Sequence, residues 1–330
     1  MEKFIVLADL HIGIHKDDEI WLRQTELLFD SIRDTAIKEN INTIIVAGDF
    51  FHERNTINVS TLYRAYNILA SLSDFEIILL IGNHDTYNKH QVDPNSLYIF
   101  SSLPNIRIID KITAIDNVAF LPWTTEKVDI SKIKQEYLIS HIEIDGFPAT
   151  YKSNFFGGYP RKEFDHFTKV ISGHLHIPSH KGNILYCGAP FHLTFSDKGS
   201  TCGYYIFNNG KIKFIENPSY SRYVRITTED EVTREMIEGN MVSMNFVKDY
   251  GILGNNRKIE YMQSLNPLRL FPDFTNISVC SDISFNTEEV AQVKSVREIL
   301  HDYVQNIELP SHINSTTLLS IMEKMMNGKE

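Results

Sequence analysis

Five short apolar runs in this chain each end in residues that can bind a metal ion. One of them, at residues 77–81, is followed by Gly82-Asn83-His84-Asp85. Apolar runs with β-branched members predict buried strands, and residues that follow a strand lie at the edge where open α/β sheets bind ligands. The pattern therefore predicts one site built from Asp9 and His11, Asp49, Asn83 with His84 and Asp85, His141, and His174 with His176.

The order of the predicted elements indicates a parallel sheet. Three strands in the first 81 residues alternate with helices at residues 21–39 and 59–71. Such repeats favour parallel strands joined by right-handed crossovers. The alternation of Asp9 and His11 further predicts an extended segment with both side chains on one side. A polar strand end alone is also typical of an ordinary turn, so the repetition at several ends carries the prediction.

The charge balance limits how this chain could bind nucleic acid. Its 330 residues carry a formal net charge of −10, whereas phosphate binding normally draws on a basic surface. Any DNA role therefore needs metal ions, a local patch or a partner. The cysteines Cys187, Cys202 and Cys280 lack a disulfide or zinc spacing, and no run of 18 apolar residues occurs. We expect a soluble intracellular protein without a membrane segment.

Changes in composition along the chain predict three parts. Residues 1–218 hold all of the metal-binding strand ends, and residues 219–284 form a smaller domain. The apolar stripes in residues 285–330 predict two helices separated by Pro310. These helices could pack back on the body. They could also dock on a partner, because flexible Met side chains are frequent at binding surfaces.

The residue types at the strand ends select the chemistry. Carboxylate, imidazole and amide ligands without thiolate favour borderline or hard divalent ions such as Mn²⁺, Fe²⁺, Zn²⁺ or Mg²⁺. Asp49 stands in the middle of the set, so its carboxylate could bridge two ions about 4 Å apart. Two such ions would activate a shared water and neutralise phosphate oxygens. The set therefore predicts a phosphoester hydrolase.

Taken in order, the five motifs between residues 9 and 176 resemble the full signature of the calcineurin-like metallophosphoesterase superfamily. The resemblance implies an α/β fold, a two-sheet αββα sandwich with a small α+β capping domain and a C-terminal helical hairpin. It implies that His84, oriented by Asp85, is the general acid. One ion would be held by Asp9, His11, Asp49 and His176, and the other by Asp49, Asn83, His141 and His174.

Further motifs resemble the SbcD-type nuclease subunits of this superfamily, in particular the phage-encoded branch. They are the block Asp49-Phe50-Phe51-His52, the block Gly188-Ala189-Pro190 and the segment 141–147. The resemblance implies a Mn²⁺-dependent DNA exonuclease and endonuclease of repair, recombination and replication, with Mg²⁺ as the alternative ion. His52 would position the DNA phosphate. Residues 219–284 would cap the site and recognise DNA.

The same resemblance implies an assembly and a location. Residues 285–330 would bind an SbcC-type coiled-coil ATPase, with a homodimer of this chain inside a heterotetramer. The location would be the cytoplasm, that of the host if a phage encodes the chain. Ala189 departs from the family pattern, which has Ser at that position. The acidic net charge indicates that the ATPase would supply most of the DNA affinity.

Two other functions stay open. A nucleotide or cyclic-nucleotide phosphodiesterase shares the ligand set, but it would not need the terminal helices. A non-catalytic scaffold on the same fold is the second alternative, although scaffolds tend to lose ligands and none is missing here. A protein phosphatase is disfavoured, because Phe51-His52-Glu53-Arg54 replaces its Asp-Arg-Gly segment and Asp85 stands where it has Glu.

Overall fold

The computed structural model describes residues 1–88, 91–150 and 153–275, all within one compact unit, Met1–Ile277. The predicted helices at 285–330 and the last residues of the predicted domain at 219–284 lie outside the described residues. The helices are α1 (Ile14–Asp17), α2 (Glu19–Glu39), α3 (Val59–Ala70), α4 (Arg234–Ile237) and α5 (Gly251–Ser264). The strands are β1 (Lys3–Leu7), β2 (Thr43–Ala47), β3 (Glu76–Leu80), β4 (Thr86–Asn88), β5 (Gln91–Asn95), β6 (Ile106–Ile109), β7 (Thr113–Ile115), β8 (Val118–Leu121), β9 (Tyr137–His141), β10 (Pro148–Thr150), β11 (Ser153–Asn154), β12 (Lys169–Gly173), β13 (Ser179–Lys181), β14 (Ile184–Tyr186), β15 (Gly203–Asn208), β16 (Lys211–Glu216), β17 (Tyr223–Thr227), β18 (Met241–Asn245) and β19 (Arg269–Asp273).

Two six-stranded sheets form the body of the protein. The first has the order β16-β15-β1-β2-β3-β6, in which β1, β2, β3 and β6 are parallel and β15 and β16 are added antiparallel. The second has the order β13-β14-β12-β9-β8-β7, with four parallel strands in its centre. The predicted parallel sheet is confirmed.

The sheets pack face to face, and the strands are apolar on both sides for that reason. In β1, Phe4 and Val6 belong to the core between the sheets, whereas Ile5 and Leu7 pack on the side of α2 and α3. Strands buried on both faces read as continuous apolar runs instead of alternating ones. None of these four side chains of β1 has exposed surface. The predicted two-sheet sandwich is confirmed.

The αββα description predicts helices on the outer face of the second sheet, but connecting segments cover that face instead. These segments contain the 3-10 turns Ile130–Lys132 and Arg161–Phe164. The connection from β9 to β12 includes Gly157-Gly158 and Pro160. Glycine and proline disfavour a helix interior, so these connections fold as loops held by buried aromatic side chains.

Residues 223–275 form a small three-stranded parallel sheet, β17-β18-β19, with α5 against it. This part has an apolar core of its own that includes Phe246 and Met262. Tyr223 and Met241 also join the core of the first sheet. A separate capping domain that begins at residue 219 stays a prediction. Within the described part of the chain, no helix is long and apolar enough to span a membrane.

Candidate metal centre

The carboxyl ends of β1, β2, β3, β9 and β12 meet at one place, and the backbone there is unusual. Asp9, His11, Asp49 and His174 have left-handed φ angles of 56°, 46°, 53° and 88°. Non-glycine residues in this region are strained and persist only where the surroundings hold them. Backbone bonds do so here, because the N–H of Asp9 donates to Gly48 and that of His11 donates to Asp49. The prediction of an extended Asp9–His11 segment is therefore wrong, since the loop curls to bring both side chains inward.

Two glycines let these strand ends approach each other closely. A Cβ on Gly48, whose φ is 92°, would lie 2.1 Å from Nδ1 of His141. A Cβ on Gly82 would lie 2.1 Å from the backbone nitrogen of Asp49. Any side chain at either position would push a predicted ligand out of place. Gly48 and Gly82 are thus part of the site.

The first donor cluster consists of Asp9, His11 and His176. One donor atom from each lies within 4.8 Å of the others. The Nε2 atoms of His11 and His176 are 3.0 Å apart, and both Asp9 and His11 are buried. Asp9 also accepts from the backbone N–H of His174 at 2.9 Å, which ties this cluster to the end of β12.

The second donor cluster consists of Asp49, His141 and His174, again within 4.8 Å. The amide oxygen of Asn83 lies between the two rings, 2.8 Å from Nδ1 of His174 and 3.1 Å from Nε2 of His141. Asp49 faces both clusters. One of its oxygens is 3.4 Å from Nε2 of His141 and the other is 3.6 Å from Nε2 of His11.

These separations fit divalent ions. Donor atoms that bind one ion at about 2.1 Å, at right or tetrahedral angles, lie roughly 3.0–3.4 Å from each other. The pairs His11–His176, Asn83–His141 and Asp49–His141, at 3.0, 3.1 and 3.4 Å, fall in that range. The carboxylate of Asp49 is placed to serve both clusters. The seven residues predicted as ligands are therefore brought together in a set that suits two ions.

The electrostatics of the site favour the ligand form of Asp49 and His11 but the protonated form of His141. Burial opposes ionisation of Asp49, but the imidazoles of His141 and His11 outweigh it and hold the pKa of this carboxyl well below its usual range. Burial lowers the pKa of His11 well below its usual value, which keeps its ring neutral. Burial acts the same way on His141, but Asp49 outweighs it and raises the pKa of that ring to about 9. A cation would compete there with a proton.

The structure corrects the predicted relation between His84 and Asp85. Nδ1 of His84 lies 2.7 Å from the carbonyl oxygen of His52 and must donate to it, so this contact orients the ring. The carboxylate of Asp85 points elsewhere and accepts the backbone N–H groups of Gly82, Phe50 and Phe51, at 2.8, 3.3 and 3.0 Å. Burial and the neighbouring Asp49 raise the pKa of Asp85 to about 7. Asp85 therefore connects the loop after β3 to the loop after β2, and it does not orient His84.

His52 lies beside the site, as predicted. Its ring is stacked on that of His84 with centroids 5.6 Å apart, and its Nδ1 is 3.4 Å from Nδ1 of His11. His11, His52 and His84 also form a third group of close ring nitrogens among the described residues. Whether His52 contacts a phosphate stays a prediction.

Two residues at the site were missed by the sequence reasoning. Glu143 lies 3.1 Å from Nε2 of His174 through Oε1, and Arg54 donates to the backbone carbonyl of Asn83. A signal for Glu143 was available, because a residue two positions after His141 in an extended segment lies on the same side. Arg54 had no comparable signal, since its contact depends on how two loops pack.

Carboxylate and imidazole donors grouped closely enough for two ions suit a metal-dependent hydrolase. The chain belongs to the calcineurin-like phosphoesterase family, whose model matches residues 2–178. The predicted resemblance to that superfamily is confirmed.

Three other proteins are similar in sequence to this chain. It is 27% identical to exonuclease subunit 1 of Enterobacteria phage T4 over 325 residues, which cover 92% of this chain and 93% of that protein. Two matches are local. The DNA double-strand break repair protein Mre11 of Archaeoglobus fulgidus is 23% identical over 43% of this chain and 30% of its own length. The uncharacterized metallophosphoesterase YhaO of Bacillus subtilis is 32% identical over 30% and 28%.

Proposed function

We propose that this chain is a metal-dependent DNA phosphodiesterase, the nuclease subunit of an SbcCD-like repair and recombination complex. The observation that carries the proposal is that Asp49, a member of the second donor cluster, also faces His11 of the first cluster. Family membership supports phosphoester chemistry. DNA as the substrate is supported by the names of two relatives, the phage T4 exonuclease subunit and the archaeal Mre11.

Two divalent ions, Mn²⁺ in our proposal, would lie in these clusters. When bound, they would supply an activated water and neutralise charge on the phosphate. The chain's own residues set the ligand orientation. Nδ1 of His141 donates to the carbonyl of Ala47 at 2.8 Å, which turns Nε2 toward Asn83 and Asp49. Hydrogen bonds of this kind fix the tautomer and direction of a metal-binding ring.

His84 is the proposed general acid. Because its Nδ1 donates to the carbonyl of His52, the opposite nitrogen, Nε2, is left to carry a proton to the leaving oxygen. The ring stands against that of His11, with centroids 4.7 Å apart and planes nearly perpendicular, so it borders the first cluster. The backbone N–H of His84 also donates to Asp49 at 2.8 Å, which fixes the residue to the ligand both clusters share.

The assembly is the less direct part of the proposal. We place the nuclease domain at 1–218, the capping and DNA-recognising domain at 219–284, and the ATPase-binding element at 285–330. The phage T4 relative is called a subunit, which supports a partner. The net charge of −10 supports one too, since an acidic chain gains little DNA affinity from bulk electrostatics.

The test is degradation of end-labelled duplex DNA by the full chain with Mn²⁺, with and without the cognate coiled-coil ATPase. We expect label release that needs the metal and rises with the ATPase. His84→Ala should keep Mn²⁺ binding and lose roughly 10²- to 10⁴-fold in rate, the usual contribution of a general acid. Cleavage by His84→Ala at the parental rate would refute its role as acid. Turnover of cyclic nucleotides without DNA cleavage would refute DNA as the substrate.

A further inference from the structure

A cavity opens beside the second donor cluster, next to Glu143. Its volume is about 110 Å³, below the roughly 300–1,000 Å³ of whole small-molecule sites, so it can take only a part of a ligand such as one ring. None of the predicted ligands lines it. Its walls include an aromatic pair, charged groups and a hydroxyl, contributed by Trp123, Thr124, Glu126, Lys127, Glu143 and Tyr159.

The cavity is fixed to the site by direct contacts. The backbone N–H of Trp123 donates at 2.9 Å to the carbonyl of Ile81, the residue before Gly82-Asn83. On the other wall, Glu143 contacts Nε2 of His174, whose Nδ1 faces Asn83. The cavity wall therefore contacts the second cluster directly, through the ring of His174. A group bound in the cavity would be a near neighbour of any phosphate at the site.

The cavity is also held open by its own bonds. The backbone N–H of Tyr159 donates to the carbonyl of Glu143 at 2.8 Å, and Nζ of Lys127 donates to the carbonyl of Gly158 at 2.8 Å. One oxygen of Asp145 accepts the N–H groups of both Gly157 and Gly158 at 2.8 Å. Such a network builds the walls before a ligand arrives, which reduces the entropy lost on binding.

The chemistry of the walls selects a flat ring with polar edges. Trp123 is half-buried and borders the cavity, so its indole is available for stacking. Glu143, whose side chain is 45% exposed, offers a carboxylate oxygen to an N–H donor. Burial by aromatic stacking with hydrogen bonds at the edge is how proteins bind an unstacked base.

We infer that this cavity holds the nucleobase of a nucleotide next to the phosphate under attack, with Trp123 as the stacking residue. The inference rests on the proposed function, because it presumes a nucleotide substrate. It adds a substrate preference: a strand end whose base can leave the stack should be a better substrate than a phosphodiester without a base. Trp123 is then a specificity residue, and it holds no ion.

Two p-nitrophenyl diesters with the same leaving group separate base binding from chemistry. One carries thymidine monophosphate and the other carries methyl phosphate. With Mn²⁺, Trp123→Ala should lower kcat/KM for the thymidine ester on the order of 5- to 150-fold, the range of one base–aromatic stack. The methyl ester, which has no base, should be hydrolysed at the parental rate. That rate also shows whether the variant is folded.

The other outcomes decide against one idea or the other. An equal loss on both esters, or no loss on either, would overturn the base site while the phosphodiesterase stands. A parent protein that hydrolyses neither ester would instead count against the proposed function.

A binding measurement needs no change at position 123. The chain has two tryptophans, so in Trp21→Phe the tryptophan fluorescence comes from Trp123 alone. Thymidine monophosphate should quench that fluorescence, and deoxyribose phosphate at the same concentration should not. Equal quenching by both, or none by either, would overturn stacking on Trp123.

Discussion

Two groups of strand ends in this protein carry polar side chains, and among the described residues the close donor clusters lie in one of the two. The small sheet ends its three strands at Thr227, Asn245 and Asp273, which lie side by side in register. The side chains of Asn245 and Asp273 form hydrogen bonds with residues that are close to them in the sequence. Asn245 accepts from Ser243, and Asp273 accepts from the N–H and hydroxyl of Thr275. This is ordinary turn chemistry.

At the metal centre the partners come from distant parts of the chain. His11 meets His176, and His141 meets Asn83, so each contact joins different strand ends. The side chains of His11 and His141 are almost fully buried, while Asp273 is half-exposed. A polar residue after a strand therefore marks a site when its partners are remote and its surroundings exclude water. The substitutions below test that distinction.

The largest effect is expected at Asp49, which serves both clusters. Asp49→Ala removes an oxygen from each cluster and leaves two groups of imidazoles facing each other without their shared carboxylate. Mn²⁺ binding, measured by calorimetry on the purified chain, should fall by more than the roughly 10- to 100-fold typical of an outer-shell partner. Hydrolysis should fall to background.

Asp49→Asn is the matched control, because it keeps the shape and one oxygen but not the charge. It should retain weak binding. Mn²⁺ affinity of Asp49→Ala equal to that of the parent would mean that Asp49 is not a shared ligand, and the contrast with the small sheet would lose its basis.

The sequence predicted some parts of this centre well and others not at all. The strand positions and ligand types are local features, and β2 begins and ends where its apolar run does. The curled backbone at Asp9 and His11 has no such marker, because remote bonds to Gly48 and Asp49 hold it. The partners of Asp85 were mistaken for a related reason. The family resemblance implied that Asp85 orients His84, whereas packing brings it the N–H groups of Phe50 and Phe51 from 35 and 34 positions away.

Asp85 should give an intermediate effect, and one on stability first. Asp85→Ala would leave three buried backbone N–H groups without their acceptor, at about 1–3 kcal/mol for each that stays unpaired. Unfolding in urea should show the loss as a lower midpoint. The total stability of a domain is about 5–15 kcal/mol, so the loss would be easily resolved.

The comparison variant here is Asp85→Asn, which keeps one acceptor oxygen and should be less damaging. If Asp85 instead oriented His84, both variants would unfold like the parent and lose only kcat. Unchanged stability with a reduced kcat would therefore restore the relation predicted from the sequence, against the hydrogen bonds seen in the structure.

The smallest effect is expected at Asp273, the counterpart of Asp49 in the small sheet. Asp273→Ala removes two bonds to Thr275, both at the exposed end of β19. These bonds compete with water, and substitutions at such surface positions usually change stability by about 0.5 kcal/mol or less. Mn²⁺ affinity and hydrolysis should equal those of the parent, measured in the same assays as Asp49→Ala. A loss of Mn²⁺ binding comparable to that of Asp49→Ala would show that the strand ends of the small sheet are also a metal site, and that local bonding does not distinguish an ordinary turn from a functional one.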